Sequence, residues 1–200
     1  MTTQAAAAPA AAYPVQFDIQ YPQQQLSRGL LFTKWILAIP HFLIVSALGN
    51  LQGVITLIAF FAILFTKRYP RELFDFYVKC SRWAANVTVY AGFFRDEYPP
   101  FGWDRGQYPP VTFDVEYPQE LSRWLIFVKW LLAFPHYIAL AVMFVIAFFV
   151  WIVAWFAILF TGQFPRGMFD FLVGTLRWSY RVQVYAGLLR DEYPPFSTAA

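Results

Sequence analysis

The stretch WILAIPHFLIVSALGNLQGVITLIAFFAILFT, residues 35–66, decides the fold, because it contains no Asp, Glu, Lys or Arg. A second stretch without these residues covers residues 130–165. About 20 apolar residues suffice for one helical crossing of a bilayer. The whole chain is 59% hydrophobic and only 14% charged, whereas soluble domains have about 25% charged residues. The sequence therefore predicts an integral membrane protein, with the lipid bilayer as its first partner.

The chain also contains an internal repeat. LSRGLLFTKWILAIPH (residues 26–41) matches LSRWLIFVKWLLAFPH 95 residues later, and RDEYPPF occurs at 95–101 and again at 190–196. Each copy is interpreted as one structural module. The predicted modules cover residues 13–102 and 108–197, joined by a linker at 103–107. An Ala/Pro-rich disordered tail is predicted at 1–12, and a short C-terminal tail at 198–200.

The number of membrane crossings depends on the cationic residues, which flank both apolar stretches. Such residues collect on the cytoplasmic side of membranes. An even number of crossings per repeat would place all of them there, and GNLQG (residues 49–53) resembles a hairpin turn. The predicted fold is therefore mainly α, with a transmembrane helical hairpin in each repeat. The protein would be a multi-pass inner-membrane protein with both termini cytoplasmic. A re-entrant hairpin that enters the bilayer without crossing it satisfies the same charge rule and remains the alternative.

Each apolar stretch is followed by a segment of a different pattern. In PRELFDFYVKCSRWAAN (residues 70–86) polar residues recur every three or four positions, which predicts an amphipathic helix. Such a helix can lie in the membrane interface and bind anionic headgroups, or it can pack on the transmembrane helices. Lys34 and Lys129 are each followed by Trp and are expected to extend toward the headgroups. The candidate anionic-lipid contacts are Lys34, Arg71, Lys79, Arg82, Lys129, Arg166, Arg177 and Arg181.

Short strands are predicted where apolar and polar residues alternate. The segments are FDIQY (17–21), NVTVY (86–90), FDVEY (113–117) and RVQVY (181–185), and we expect them to pair within each repeat. The charged residues of RDEYPPF are expected to form a salt-bridged turn, or else to bind a partner.

Only two histidines are present, His41 and His136, and both follow a proline at the same position of the repeat. Each histidine could hydrogen-bond the carbonyl that the proline leaves free. Alternatively, parallel repeats would bring both imidazoles to one depth of a four-helix bundle, where they could bind haem axially or transfer protons. No phosphate-binding loop, metal-binding spacing or catalytic motif is found, so no metal site and no enzymatic activity are predicted. The scattered basic residues also argue against nucleic acid.

The motifs KWxLAxPH (34–41), AILFTxxxPRxxFDF (62–76), VYAG (89–92) and DEYPPF (96–101) resemble the bacterial membrane family known as domain of unknown function 4389. The resemblance implies an inner-membrane protein without an assigned activity and supplies no catalytic residue. The leading hypothesis is a non-enzymatic accessory subunit, scaffold or lipid-organising module, possessing no cofactor and able to bind a membrane-protein partner. The alternatives are a haem-binding redox protein using His41 and His136, and a small-solute or proton transporter.

Overall fold

The computed structural model describes residues 13–199, so the predicted tail at 1–12 and Ala200 lie outside the described residues. The described chain is mainly helical. Its elements are β1 (Val15–Ile19), α1 (Leu30–Thr66), α2 (Arg71–Ala91), β2 (Val111–Val115), α3 (Leu125–Thr161) and α4 (Arg166–Ala186).

The predicted hairpins are wrong, because α1 and α3 are each one continuous helix of 37 residues. At a rise of 1.5 Å per residue each helix is about 55 Å long. Pro40 and Pro135 lie inside these helices, and so does the GNLQG segment. Glycine in a helix costs free energy but removes no hydrogen bond, so tertiary packing can keep the helix intact. The residues that could have formed a turn have another structural consequence, described below.

The long helices pack through one narrow stripe. The buried positions of α1 recur at intervals of three or four residues on either side of its middle and face α2; those of α3 face α4 in the same way. They are Leu31, Lys34, Ala38, His41, Gln52, Ile55, Ala59 and Ile63 in α1. The two helices are antiparallel, since Gln52 contacts Tyr77 whereas the earlier His41 contacts the later Trp83. Most of the remaining surface of α1 and α3 is exposed and apolar.

The two long helices are also antiparallel to each other. Phe32 packs edge-on against Trp155 with ring centroids 5.6 Å apart, and Phe60 packs against Phe127 at 5.2 Å. The helix ends are tied together, since the Arg28 Nη2 donates a hydrogen bond to the Phe160 carbonyl (3.1 Å) at the end of α3. Arginine at a helix C-terminus satisfies free carbonyls and interacts favourably with the helix dipole.

The strands join the repeats to each other, which corrects the predicted pairing within each repeat. β1 pairs antiparallel with β2, and Phe17 lies opposite Phe113. The other two predicted strands are wrong, because NVTVY and RVQVY form the last turns of α2 and α4. Strand propensity depends strongly on context. These segments pack as helices against α1 and α3, and that packing overrides their alternating pattern.

The described chain forms three layers. The two-stranded sheet packs on α2 and α4, and these pack on α1 and α3. Arginines tie the first two layers together: the Arg82 Nε donates to the Phe113 carbonyl (3.0 Å), and the Arg177 Nε donates to the Phe17 carbonyl (2.9 Å). A pseudo-twofold axis passes between Phe17 and Phe113 and runs through all three layers, so α1 and α3 form one outer face of the molecule.

Candidate functional site

The two histidines occupy closed aromatic clusters. His41 has no exposed surface, and its Nδ1 accepts a hydrogen bond from the indole Nε1 of Trp83 at 3.1 Å. The imidazole stacks on Phe101 with ring centroids 4.1 Å apart, and Tyr98 lies at 5.0 Å. Tyr98 and Phe101 both belong to the first RDEYPPF motif. The motif therefore covers the histidine that α1 presents.

The second repeat has the same cluster. The Trp178 Nε1 donates to His136 Nδ1 at 3.1 Å, Phe196 stacks on the imidazole at 3.8 Å, and Tyr193 lies at 4.8 Å. Since Nδ1 is an acceptor in each cluster, the neutral imidazole carries its proton on Nε2. Among residues 13–199, neither Nε2 has a hydrogen-bond partner.

The prediction that His41 hydrogen-bonds the carbonyl freed by Pro40 is wrong. The hydroxyl of Tyr98 instead donates to the Leu37 carbonyl (3.1 Å), one residue from the Ile36 carbonyl that the proline frees. The local sequence could not reveal this partner, which lies 61 residues away.

The two histidines are not brought together as parallel repeats would require. Interpolating between the aromatic pairs of the antiparallel helices α1 and α3 places His136 beside residue 51. That position is about 15 Å along α1 from His41. Each imidazole face is covered by its own phenylalanine and each Nδ1 is bonded to tryptophan. The residues therefore do not fit a pair of axial ligands on one haem.

Two lysines predicted to contact headgroups are buried. Lys34 is 1% exposed; its Nζ lies 2.7 Å from Asp96 Oδ1 and donates to the Arg95 carbonyl at 2.7 Å. In the second repeat, the Lys129 Nζ lies 2.8 Å from Asp191 Oδ1. These lysines therefore do not reach the surface, and the aspartates of both RDEYPPF motifs are their counter-charges.

The salt-bridged turn predicted for RDEYPPF is present in both copies. Arg95 Nη2 lies 2.5 Å from Glu97 Oε1, and Arg190 Nη2 lies 2.6 Å from Glu192 Oε1. Partial burial alone would raise the pKa of Glu97, but hydrogen bonds from Arg95 and from its own backbone outweigh it and hold the pKa below its usual value. The charged and aromatic side chains of RDEYPPF together thus form a clamp over the first turns of the long helix.

The other predicted lipid contacts differ in exposure. Arg71 and Arg166 are exposed, each paired with the aspartate four residues on, and each guanidinium lies 4.5 Å from a tyrosine ring. Lys79 is half-buried. The rest bind the sheet or are enclosed: Arg82 and Arg177 pair with Asp114 and Asp18, and Arg181 is buried. Contact with anionic lipid stays a prediction for Arg71, Lys79 and Arg166.

Metal and thiol chemistry have no support in the described part of the chain. Residues 13–199 contain no cluster of three or more His, Cys, Asp or Glu side chains able to hold a metal ion. Cys80 is buried, and burial raises the pKa of its thiol to about 11. Burial therefore disfavours the thiolate that reactivity requires.

The clusters recur in both halves of the chain, and the comparison with protein families divides it in the same way. A family profile matches residues 28–102 and again residues 123–198. The chain belongs to the family Domain of unknown function (DUF4389). It is a tandem duplication of that domain, and each DUF4389 copy contains one histidine cluster and one buried Lys–Asp pair. Neither a curated protein nor a solved structure matches the chain.

The outer face of the two DUF4389 copies is an extended apolar surface. Both α1 and α3 are long and apolar enough to cross a membrane. Within the protein, only 22% of the most apolar part of α1 and 17% of that of α3 are buried. Large apolar patches on a protein surface mark sites of membrane or protein contact. The most exposed members include Phe32, Ile36, Leu43, Leu57, Phe65, Trp130, Val145, Phe149 and Phe160.

Proposed function

We propose that this protein is a non-enzymatic membrane scaffold or lipid-organising module, with α1 and α3 lying in the plane of one leaflet. The observation that carries the proposal is the separation of surfaces. The apolar face formed by α1 and α3 lies on the opposite side of the molecule from the sheet, with α2 and α4 between them. The molecule as a whole therefore has one apolar side, and large apolar patches of this kind mark sites of membrane contact.

The length of the helices favours this orientation over a crossing. Each is about 55 Å long, whereas the hydrocarbon core is about 30 Å thick. In a crossing orientation, the pseudo-twofold axis would lie in the bilayer plane and the sheet would sit near the midplane. The sheet carries Asp18 and Asp114, and Arg105 pairs with Asp114. Each charged residue there costs about 3 kcal/mol on insertion scales.

The in-plane orientation also accounts for the cationic flanks. Both ends of both helices then lie on one side of the membrane, so no Lys or Arg is placed on the far side of the bilayer and no hairpin is needed. The prediction of cytoplasmic termini is kept, while multi-pass topology is replaced by attachment to the cytoplasmic face of the inner membrane. The exposed Arg71 and Arg166 are available to anionic headgroups at opposite ends of the molecule.

The scaffold role is favoured because the buried polar groups serve the fold. The Lys–Asp pairs and histidine clusters are enclosed and occur in both repeats. Neither the haem nor the transport alternative gains support from this arrangement. An extended apolar face bordered by cations suits the recruitment of lipid or of a membrane-protein partner.

The orientation can be tested with a membrane-impermeant thiol reagent on sealed vesicles of defined sidedness. Single cysteines are placed at the two ends of α1 by Ser27→Cys and Lys67→Cys, each in a Cys80→Ser background. Both positions are exposed. We expect both to be labelled from the cytoplasmic side only. Labelling of the two positions from opposite sides would show that α1 crosses the membrane and would overturn the in-plane proposal.

A pair of positions at the two ends of α3 provides a control. Ser122→Cys and Gln163→Cys mark its two ends, and the in-plane orientation predicts the same sidedness for them. In a crossing arrangement the antiparallel helices would give the inverse pattern, with Ser122→Cys on the side of Lys67→Cys.

A further inference from the structure

The two repeats differ most at the middle of their long helices. Beside the middle of α1 lies a cleft of about 760 Å³, whereas the corresponding space beside α3 measures about 290 Å³. The two spaces are related by the same 95-residue shift that relates the repeats. The larger cleft has walls from α1 and α3 and a floor from α2 and α4. Its lining includes Gly49, Gln52, Gly53, Thr56, Tyr77, Tyr137, Leu140, Phe144, Ser179, Gln183 and Gly187.

The difference in volume comes from side-chain size. Gly53 and Thr56 of α1 correspond to Phe148 and Trp151 of α3. Trp151 fills its own side of the molecule, where it stacks on Phe93 at 5.5 Å and its Nε1 donates to the Gly92 carbonyl at 3.1 Å. A Cβ placed on Gly49 or Gly53 would meet no atom within 4 Å.

These two glycines are therefore not required by packing. In a helix interior, glycine is about 1 kcal/mol less favourable than alanine. Each glycine destabilises α1 without any steric need for it, and the result is open space. The GNLQG segment thus does not form a turn, as its composition suggested, but leaves room beside a straight run of helix.

The floor of the larger cleft and the adjoining side of α1 carry polar groups, and none of the lining residues within 13–199 is charged. Gln52 is 8% exposed, and its Nε2 donates to the Tyr77 carbonyl (3.1 Å) and to Ser81 Oγ (2.8 Å). These bonds hold the amide in place, and within residues 13–199 its Oε1 accepts no hydrogen bond. The Tyr77 hydroxyl lies close to Gly187, where a Cβ would be only 2.7 Å from the hydroxyl oxygen.

The second repeat has lost this polar set. Gln52, Tyr77 and Ser81 correspond to Ala147, Leu172 and Leu176, so the smaller space is almost wholly apolar as well as partly filled. The polarity and the volume of the cleft therefore change together between the repeats. If the cleft were only a packing defect in repeat 1, there would be no reason for polar residues to line it.

We propose that the cleft binds a neutral lipid whose head carries hydroxyl and ester groups, as in a diacylglycerol. In the described part of the chain no charged residue lines the cleft, so an ionic headgroup would be desolvated without a partner, which is costly. The Gln52 Oε1 can accept from a lipid hydroxyl. The Tyr77 hydroxyl lies in the same lining, as does Ser179, whose hydroxyl donates to the Leu176 carbonyl (2.7 Å) and can still accept a hydrogen bond. The apolar walls from α3 suit acyl chains.

The route of entry rests on the proposed membrane placement. Because α2 and α4 form the floor, the mouth lies between α1 and α3, on the face that would contact the leaflet. A lipid would enter from that leaflet with its head directed inward. Binding itself requires only the cleft, so it can be measured in detergent micelles whatever the orientation in a membrane.

The experiment measures dioctanoylglycerol binding to the full chain in micelles by native mass spectrometry. Gly53→Phe introduces the residue that repeat 2 has at this position, and Val54→Phe is the control because Val54 is 53% exposed on another face of α1. We expect at least a tenfold loss of affinity in Gly53→Phe and no change in Val54→Phe. Equal binding by the wild type and Gly53→Phe would overturn the proposal.

Two further measurements keep the test decisive if Gly53→Phe does not fold. Gln52→Leu leaves the volume nearly unchanged but removes the free acceptor, and we expect it to weaken binding at least fivefold; unchanged binding would refute the role of the polar floor. Dioctanoyl phosphatidic acid is the charged probe, and preferential binding of it would contradict a neutral ligand. If the thiol-labelling test fails but these results hold, the membrane orientation is wrong and the lipid site stands.

Discussion

The first turns of α1 and α3 are nearly identical, whereas their middles are not. At the start of each helix, a lysine, a histidine and a tryptophan partner are enclosed by RDEYPPF with distances that agree within about 0.3 Å between repeats. At the middle, one repeat has a polar cleft and the other has Phe148 and Trp151. The clamp closes each repeat and has stayed the same in both copies. The middle differs between the copies, and the fold accommodates both the open space beside α1 and the filled space beside α3.

The largest expected effect tests whether the clamps are energetically equivalent. Asp96→Asn and Asp191→Asn each leave a buried lysine without its counter-charge. Breaking a buried pair in this way costs about 3–5 kcal/mol. We expect equal decreases in the free energy of unfolding, measured by chemical denaturation in micelles.

The double variant Lys34→Met/Asp96→Asn is the control for this comparison. It removes both charges, so it should recover much of the stability that Asp96→Asn loses. Decreases in the two repeats that differ by more than about 1 kcal/mol would show that the clamps are not equivalent.

The next effect concerns the tryptophan–histidine bonds. Trp83→Phe and Trp178→Phe remove the donor to a buried imidazole nitrogen, and an unsatisfied buried acceptor costs about 1–3 kcal/mol. Thermal unfolding should show similar losses in both repeats. Trp130→Phe, at an exposed position of α3, serves as the control. A loss in the control as large as in Trp83→Phe would refute the role of the buried bond.

A smaller effect with the opposite sign distinguishes two kinds of glycine. Gly49→Ala and Gly53→Ala should each raise the free energy of unfolding by about 0.5–1 kcal/mol, because alanine favours the helix and the added Cβ meets no atom. Gly187→Ala should lower it, because its Cβ would lie 2.7 Å from the Tyr77 hydroxyl. The comparison requires only unfolding curves; destabilisation by Gly53→Ala would show that the space in front of it is not open.

The smallest effect is pH-dependent and should be the same in both repeats. The pKa values of Glu97 and Glu192 lie below their usual value, since hydrogen bonds from Arg95 and Arg190 outweigh desolvation. A depressed pKa stabilises the fold above the unfolded-state pKa, and this contribution is lost as the pH falls through the folded-state value. Glu97→Gln should therefore reduce stability at pH 7, and the difference from wild type should shrink toward pH 3. Because the Glu97 carboxylate is about half exposed, the effect should stay below about 1 kcal/mol; a difference that grows on acidification would contradict this assignment.

The sequence predicted those features that depend on local pattern or on self-comparison. Residue spacing indicated the duplication, the apolar segments, the helices α2 and α4, and the Arg–Glu turn. It also indicated the strands at FDIQY and FDVEY, which overlap β1 and β2. The family was identified from motifs within one repeat. The sequence also indicated that His41 and His136 were equivalent, because the same shift relates both.

Other features required partners that are distant in the chain. The tryptophan that binds His41 is 42 residues away, and the carbonyl that binds Lys34 is 61 residues away. NVTVY became helical because α1 covers it, and β1 found its partner in the other repeat. Periodicity describes one segment at a time, so it could not choose among these arrangements.

The GNLQG segment separates what the sequence determined from what the tertiary structure decided. Its residues alone determined that side chains would be small and polar at the middle of α1, since glycine occupies little space and asparagine and glutamine carry hydrogen-bonding groups. Whether this produced a turn or an open cleft was decided by tertiary structure. The buried stripe of α1 packs on α2 both before and after this segment, and this packing keeps the helix continuous. Because glycine has no side chain, the space beside the middle of the helix stays open.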